Sequence, residues 1–223
     1  MDVIHFPDDP RPPRWTRPVL ALGNFDGLHR GHMKIIDRVR RRAGERGGTP
    51  AAMTFEPHPS RVLRPDKAPP LLMTTDQRLE ALARSGMQGV AVVRFTEDLS
   101  RWDPEMFVRS VLVEWLHVAE VWVGANFLFG HNREGNFSVL RSLGARYGFR
   151  AEKIDPVRYK DFVVSSTRIR RLVSEVDGLE ALARASLREL EAVEGVGAVR
   201  AREIKEGLRR LQEHNLVERY LNI

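Results

Sequence analysis

Two histidines stand three residues apart in His29-Arg30-Gly31-His32, where the apolar run Val19 to Leu22 passes through the loop Gly23-Asn24-Phe25-Asp26-Gly27 into a helical pattern. A helix beginning there places both imidazoles on one side of its first turn, facing whatever occupies the helix N-terminus. That terminus offers free amide donors and the positive end of the helix dipole, the arrangement by which α/β sheets hold phosphate. Gly31 lets a phosphate approach the backbone closely. Two imidazoles beside such amides can stabilise charge developing on a phosphorus under attack, with no covalent intermediate. His-x-Gly-His alone also reads as two surface histidines; the strand, loop and helix around it favour the phosphate chemistry. A second group, Ser165-Ser166-Thr167-Arg168-Ile169-Arg170, follows Phe162-Val163-Val164 and opens another helix. Its hydroxyls and amides can hold triphosphate oxygens, and an arginine can neutralise two of them at once. Taken alone, it reads equally as an N-cap followed by basic surface residues.

The elements that must position these groups follow from hydrophobic periodicity. Strands are expected at Val19 to Leu22, Ala51 to Phe55, Val90 to Phe95, Glu120 to Val123 and around Phe149 to Ile154. Between them, Ile35, Ile36 and Val39 share one helix face while Lys34, Arg38, Arg41 and Arg42 lie elsewhere. Glu56-Pro57-His58-Pro59 closes the second strand, because proline cannot continue a central ladder. Thr74 and Gln77 form a capping box for a helix through Leu79, Leu82 and Ala83 that stops at Gly86. Asp103-Pro104 reads as an N-cap and first-turn proline opening the helix of Phe107, Val111 and Trp115. After the loop Gly124 to Asn136 comes a helix ending near Gly148. Strands alternating with helices in this way form a three-layer, doubly wound parallel sheet, which binds ligands beyond the C-terminal ends of its strands.

Composition narrows the chemistry. The 223 residues are 42% apolar and 30% charged, the composition of a globular chain rather than a disordered one. The longest stretch without Asp, Glu, Lys or Arg, Val121 to Asn132, is twelve residues, and a bilayer span needs about twenty apolar ones. Met1 to Arg17 has no apolar block of the signal-peptide kind, so a cytoplasmic location and no membrane partner are expected. With no cysteine there is no disulfide, thiolate metal site or cysteine nucleophile. From Val176 onward eight Lys+Arg face nine Asp+Glu, a net of −1, which leaves +7 of the overall +6 on residues 1–175. The positive potential favours anionic small molecules or nucleic acid without choosing between them.

Four motifs in order, Gly23 to His32, Phe55-Glu56-Pro57-His58-Pro59, Gly124-Ala125-Asn126-Phe127-Leu128-Phe129-Gly130 and Ser165 to Arg170, resemble those of the FMN adenylyltransferase domain of bacterial FAD synthetases. The resemblance runs from about Val19 to Val173. It implies a Rossmann-like nucleotidyltransferase fold and the reaction of FMN with ATP to give FAD and pyrophosphate, with Mg2+. It assigns phosphate contacts to His29 and His32. It lines the adenine and ribose site with Gly23, Asn24, Phe25, Asp26 and Gly27, beside Gly31. It gives the β- and γ-phosphates to Ser165, Ser166, Thr167 and Arg168, with Arg170 nearby. On this reading the protein supplies no metal cage, because Mg2+ held by phosphate oxygens and water needs few carboxylates. A flat apolar slot for the isoalloxazine ring can be built from Phe55, Pro57, Phe127 and Phe129, with His58 in the same motif. Each phenylalanine reads equally as core. Asn126 can donate or accept a hydrogen bond at a flavin edge, and Leu128 replaces the polar residue more usual in that motif.

The family normally continues into a riboflavin kinase barrel of β-strands. The roughly fifty residues after Val173 are helix-rich without β-alternation, so riboflavin phosphorylation is not expected of this sequence. Leu190, Val193, Val196, Ala201 and Ile204 are spaced to pack two short helices across Gly195-Val196-Gly197. This tail resembles the helix-hairpin-helix tail of the bacterial DNA integrity scanning diadenylate cyclase. The resemblance implies non-specific contact with DNA phosphates through Gly195, Gly197, Arg200 and Arg202, although a net charge of −1 opposes strong binding and a purely structural cap fits the same residues. The expectation is an α/β protein. A doubly wound parallel five-stranded sheet occupies residues 1–175, and a small all-α helix-hairpin-helix appendage occupies residues 178–223. Alternatives are nucleotidyl transfer to another phosphorylated acceptor, or a DNA-binding protein with a regulatory nucleotide site.

Overall fold

The computed structural model describes residues 1–159, 162–163, 165–175, 184–193, 197–198, 201–202 and 204–205. The chain divides into two units, Met1–Ser166 and Thr167–Ile223. In the first, β1 (Asp2–Phe6), β2 (Val19–Leu22), β3 (Pro50–Glu56), β4 (Gly89–Arg94), β5 (Glu120–Gly124) and β6 (Arg150–Ile154) form one sheet in the order β1-β4-β3-β2-β5-β6. Every neighbouring pair is parallel.

Strand β2 shows why the sheet is two-sided. All four residues are buried, as a strand covered on both faces requires. Val19 and Ala21 pack with Ile35, Ile36, Val39 and Ala43 of α1 (Arg30–Arg46) and with Leu82 of α3 (Thr75–Arg84), the short α2 (Pro59–Leu63) lying between them in sequence. Leu20 and Leu22 face the opposite layer. In that layer α4 (Glu97–Ser100) and α5 (Pro104–Phe107) lead into a π-helical stretch, Val108–Trp115, followed later by α6 (Phe137–Tyr147). The π character shows as Leu116 N–H donating to Val111 O at 3.2 Å, and it brings Val108, Val111 and Leu112 all into the core. The capping box of α3 is present in both directions: Thr74 Oγ1 accepts from Gln77 N, and Gln77 Oε1 accepts from Thr74 N.

The sheet has six strands, not the five expected. The extra one is β1, an edge strand in register with β4 from Asp2↔Gly89 to Phe6↔Val93. Only Ile4 of its five residues is buried, and a proline-rich connection follows, so neither alternation nor a crossover helix marks it in sequence. Trp15, from that connection, is fully buried. Its indole N–H donates to Asp2 Oδ2 at 2.9 Å, and its ring fills the space over Gly89, where a Cβ would meet Trp15 Cζ2 at 2.1 Å. A small antiparallel pair, β7 (Arg158–Tyr159) and β8 (Phe162–Val163), follows β6.

Helix α7 (Ser166–Glu175) opens at the end of the first unit. Within the second unit the helix Leu187–Ala192 has its own capping box, Ser186 with Glu189, and Leu190, Val193 and Ala201 are buried. The expected hairpin lies largely outside the described residues, Gly195 and Arg200 included. Gly197 and Arg202 are described and exposed.

Candidate active site

Strand β2 is the switch point of the sheet. The chain winds from it through β3 to β4 on one side, while β5 and β6 continue on the other. The loops after β2 and β5 therefore flank the crevice where doubly wound sheets bind ligands. His29 is the N-cap of α1: its backbone is extended, and its Nδ1 accepts from Gly31 N at 3.1 Å and His32 N at 3.4 Å. An acceptor Nδ1 places the imidazole proton on Nε2 and leaves that nitrogen as the outward donor. The His29 and His32 rings stack at 3.7 Å between centroids with planes 16° apart. Phe25 meets His32 edge-on at 5.3 Å.

The loop that carries them is tightly held. Phe25 and Leu28 adopt φ of 51° and 26°, conformations that non-glycine residues keep only where surroundings enforce them, and Gly27 between them has φ of 84°. At Gly27 a Cβ would also lie 2.7 Å from Leu72 Cδ1. Asp26 is buried, and its Oδ1 accepts from Leu72 N at 2.8 Å and Met73 N at 3.2 Å. The Asn24 carbonyl accepts from Thr54 Oγ1 at 3.1 Å and Arg78 Nη1 at 3.2 Å. Ser166 Oγ donates to Asp26 O at 2.8 Å, which brings the start of the serine-rich motif to the histidine loop within the first unit. Phe25 is wholly buried, so its ring is a wall behind His32 rather than an exposed surface. Thr167, Arg168 and Arg170 belong to the second unit, where Thr167 and Arg168 are exposed.

Burial sets the electrostatics of the histidines. Desolvation lowers the His29 pKa below its usual value, partly offset by a hydrogen bond to its own backbone and by the Asp26 charge. Desolvation, followed by the neighbouring His29, pushes His32 down to about 3. His32 Nδ1 is buried and has no hydrogen-bond partner among the described residues. At neutral pH both rings are therefore uncharged donors at the N-terminal end of α1.

At the end of β3, His58 caps α2 in the same manner, its Nδ1 accepting from Ser60 N at 3.2 Å. The Glu56–Pro57 peptide is cis. Phe55 is half-buried and leads an aromatic row. It lies 5.8 Å from Phe95 and 6.2 Å from Phe107, Phe107 lies 5.9 Å from Phe129, and Phe127 stacks on Phe129 at 5.3 Å and 18°. The structure thus joins Phe55, Phe127 and Phe129, with Phe129 itself buried and Asn126 exposed. An open pocket of about 500 Å³ beyond β5 is lined by Asn126, Phe127, Asn136, Phe137 and Lys153 among others. Two contributors escaped the sequence reading. Phe107 bridges Phe55 to Phe129, and Arg78 is a buried guanidinium 2.7 Å from Glu56 Oε2. Arg78 had one signal: it precedes Leu79 and Leu82 on the apolar side of an amphipathic helix.

A parallel α/β sheet presenting at its switch point a helix N-terminus with two stacked imidazoles, one of them the cap, is a nucleotidyltransferase-type fold. The comparisons are narrower: the model of the FAD synthetase family matches residues 11–168, and the chain belongs to that family. It is 34% identical over 177 residues to the bifunctional riboflavin kinase/FMN adenylyltransferase of Escherichia coli, covering 79% of this chain and 56% of that protein. The protein of the same name from Listeria monocytogenes is 36% identical over 167 residues, covering 72% and 52%. The chain thus spans about half the length of these relatives. A solved structure, a macrolide-efflux protein from Streptococcus pneumoniae, superposes with a TM-score of 0.69 over 81% of this chain and 59% of that one. Its 22% identity makes this a likeness of fold. The family match ends at residue 168 and does not reach Gly195, Gly197, Arg200 or Arg202. Among the described residues no helix is long and apolar enough to cross a membrane.

Proposed function

We propose that this chain transfers the adenylyl group of ATP to FMN, giving FAD and pyrophosphate. The observation that carries the reading is the stacked His29–His32 pair at the N-terminus of α1, with His29 as its cap, at the switch point, inside the stretch that matches the FAD synthetase family. An oxygen of the FMN phosphate attacks the α-phosphorus of ATP in line. The new P–O bond forms as the bond from the α-phosphorus to the α,β-bridging oxygen of ATP breaks, and that oxygen leaves on pyrophosphate. No strong general base is required, because a phosphate monoester has its second pKa at about 6. His29 Nε2–H and the His32 ring stabilise charge on the α-phosphoryl oxygens as neutral donors, and positioning of two phosphates carries most of the remaining rate.

In this scheme the metal is part of the substrate. Among the described residues no three His, Asp or Glu side chains converge, and Asp26, the carboxylate of the loop, already accepts from two amides. Mg2+ in this proposal arrives on the triphosphate, where it neutralises phosphate charge. Phe55, Pro57, Phe127 and Phe129 are the proposed flavin wall.

The test is direct. The chain is incubated with FMN, ATP and Mg2+ and the products are separated by chromatography, with His32→Ala run alongside. FAD and pyrophosphate are expected from the parent, and a fall of about 100-fold or more from the variant. A folded parent that binds ATP and forms no FAD overturns the reading.

A further inference from the structure

Arg78 is 3% exposed, and its guanidinium joins two loops that different substrates would use. Nη1 donates to the Asn24 carbonyl at 3.2 Å, in the loop after β2. Nη2 donates to Glu56 Oε2 at 2.7 Å, at the end of β3 beside Pro57 and His58. Thr75 Oγ1 donates to the same carboxylate oxygen at 2.6 Å and lies 3.4 Å from Nη2. The Nε–H is buried without a partner among the described residues. A buried donor left unpaired is a standing cost, which the contacts of Nη1 and Nη2 with Asn24, Glu56 and Thr75 must offset. Only a planar guanidinium can reach both acceptors from one rigid group; an ammonium at the same place reaches one.

We infer that Arg78 is a positioning residue that sets the separation between the donor loop, through the Asn24 carbonyl, and the acceptor loop, through Glu56. This rests on the adenylyl-transfer reading above. If the fork fixes the distance from the FMN phosphate to the α-phosphorus, loosening it slows the chemical step and leaves each substrate's own contacts in place. Misplacement of reacting groups by about 1 Å costs on the order of 100-fold in rate.

The experiment compares parent, Arg78→Lys, Arg78→Met, Glu56→Gln and Arg78→Lys/Glu56→Gln by single-turnover FAD formation, half-saturating FMN and ATP, and thermal midpoint. Arg78→Lys is expected to slow single turnover by about 10- to 100-fold, with both half-saturating concentrations within about threefold of the parent. Arg78→Met should be slower still, so that lysine is a partial rescue. The double variant should fall well short of the product of the single effects, since both break one fork. Glu56→Gln, altered on the half-exposed side, reads the same contact should Arg78 variants fail to fold. An unchanged single-turnover rate in a folded variant overturns the inference while the function stands. So does a loss confined to the half-saturation of one substrate, which marks local damage to one loop. A parent that forms no FAD overturns the function first and this inference with it, and that failure is visible before any variant is compared.

Discussion

His29 and His32 lie face to face, ring centroids 3.7 Å apart, while His29 Nδ1 accepts the N–H groups of Gly31 and His32. One contact makes them a pair and the other fixes their charge. A protonated His29 would lose its lone pair to the cap, and two stacked imidazolium rings would repel at contact distance. The geometry and the lowered pKa values therefore agree on two neutral donors.

The first prediction is a pH profile. Both folded-state values lie below the ordinary histidine value of 6.5, His32 at about 3. Between those limits the unfolded chain binds more protons than the folded one. The stability these rings permit is complete above pH 6.5 and declines as the pH falls, for His32 by up to about 1.4 kcal/mol per pH unit towards pH 3, with His29 adding a decline of the same sign. Urea midpoints at pH 7, 6, 5 and 4 should show the decline, and His32→Gln should flatten it. Equal slopes in parent and variant would count against neutral burial.

A second prediction separates capping from chemistry at His29. Asparagine is a good N-cap but places no donor where Nε2 stands. His29→Asn should keep the denaturation midpoint close to the parent's while turnover falls by about 100-fold. His29→Ala should lose turnover and also about 1 kcal/mol of stability. Turnover surviving in His29→Asn would show that the ring matters only as a cap.

These roles also mark where the sequence was legible. Val19 to Leu22, Thr74 with Gln77, and Asp103-Pro104 are local signals, and each forms the element its residues favour. What escaped depends on residues far apart in the chain. β1 is held by Trp15 sitting on Gly89, and no window of sequence contains both. Arg78 is a charge on a helix that is otherwise solvated on one side, and only the Asn24 carbonyl and Glu56 explain its burial. Histidine is not among the favoured N-cap residues, so the caps formed by His29 and His58 were invisible beside the chemical roles proposed for them. The phenylalanines read equally as slot or core, and in the structure they form one row, with Phe55 half-buried and Phe129 buried.

The third prediction lies at the other end of the sheet. Glu120 opens β5 in register with Val19, away from the loops that follow the strands, and is fully buried. Arg42 Nε and Nη2 grip its two oxygens at 3.0 and 3.1 Å, Trp122 Nε1 donates at 2.7 Å, and Arg46 stands 3.6 Å away. Burial alone would raise the Glu120 pKa, but the hydrogen bonds from Arg42 and Trp122 outweigh it and leave the value lowered. That contribution is present above the unfolded carboxylate value of 4.5 and is lost as the pH falls below it. Arg42→Met strands a buried carboxylate and should cost about 3 kcal/mol at pH 7. The cost should shrink near pH 4, where the stranded group takes up a proton. Adding Glu120→Leu to Arg42→Met should recover much of the loss, since an apolar pair needs no charge partner. Turnover per folded molecule should be unchanged throughout, because α1 is tied to β5 here at the end remote from His29. Denaturation curves at the two pH values, with single-turnover rates on the same samples, decide it. A rate that fell with Arg42→Met would mean that this ion pair sets the position of His29 along the whole length of α1.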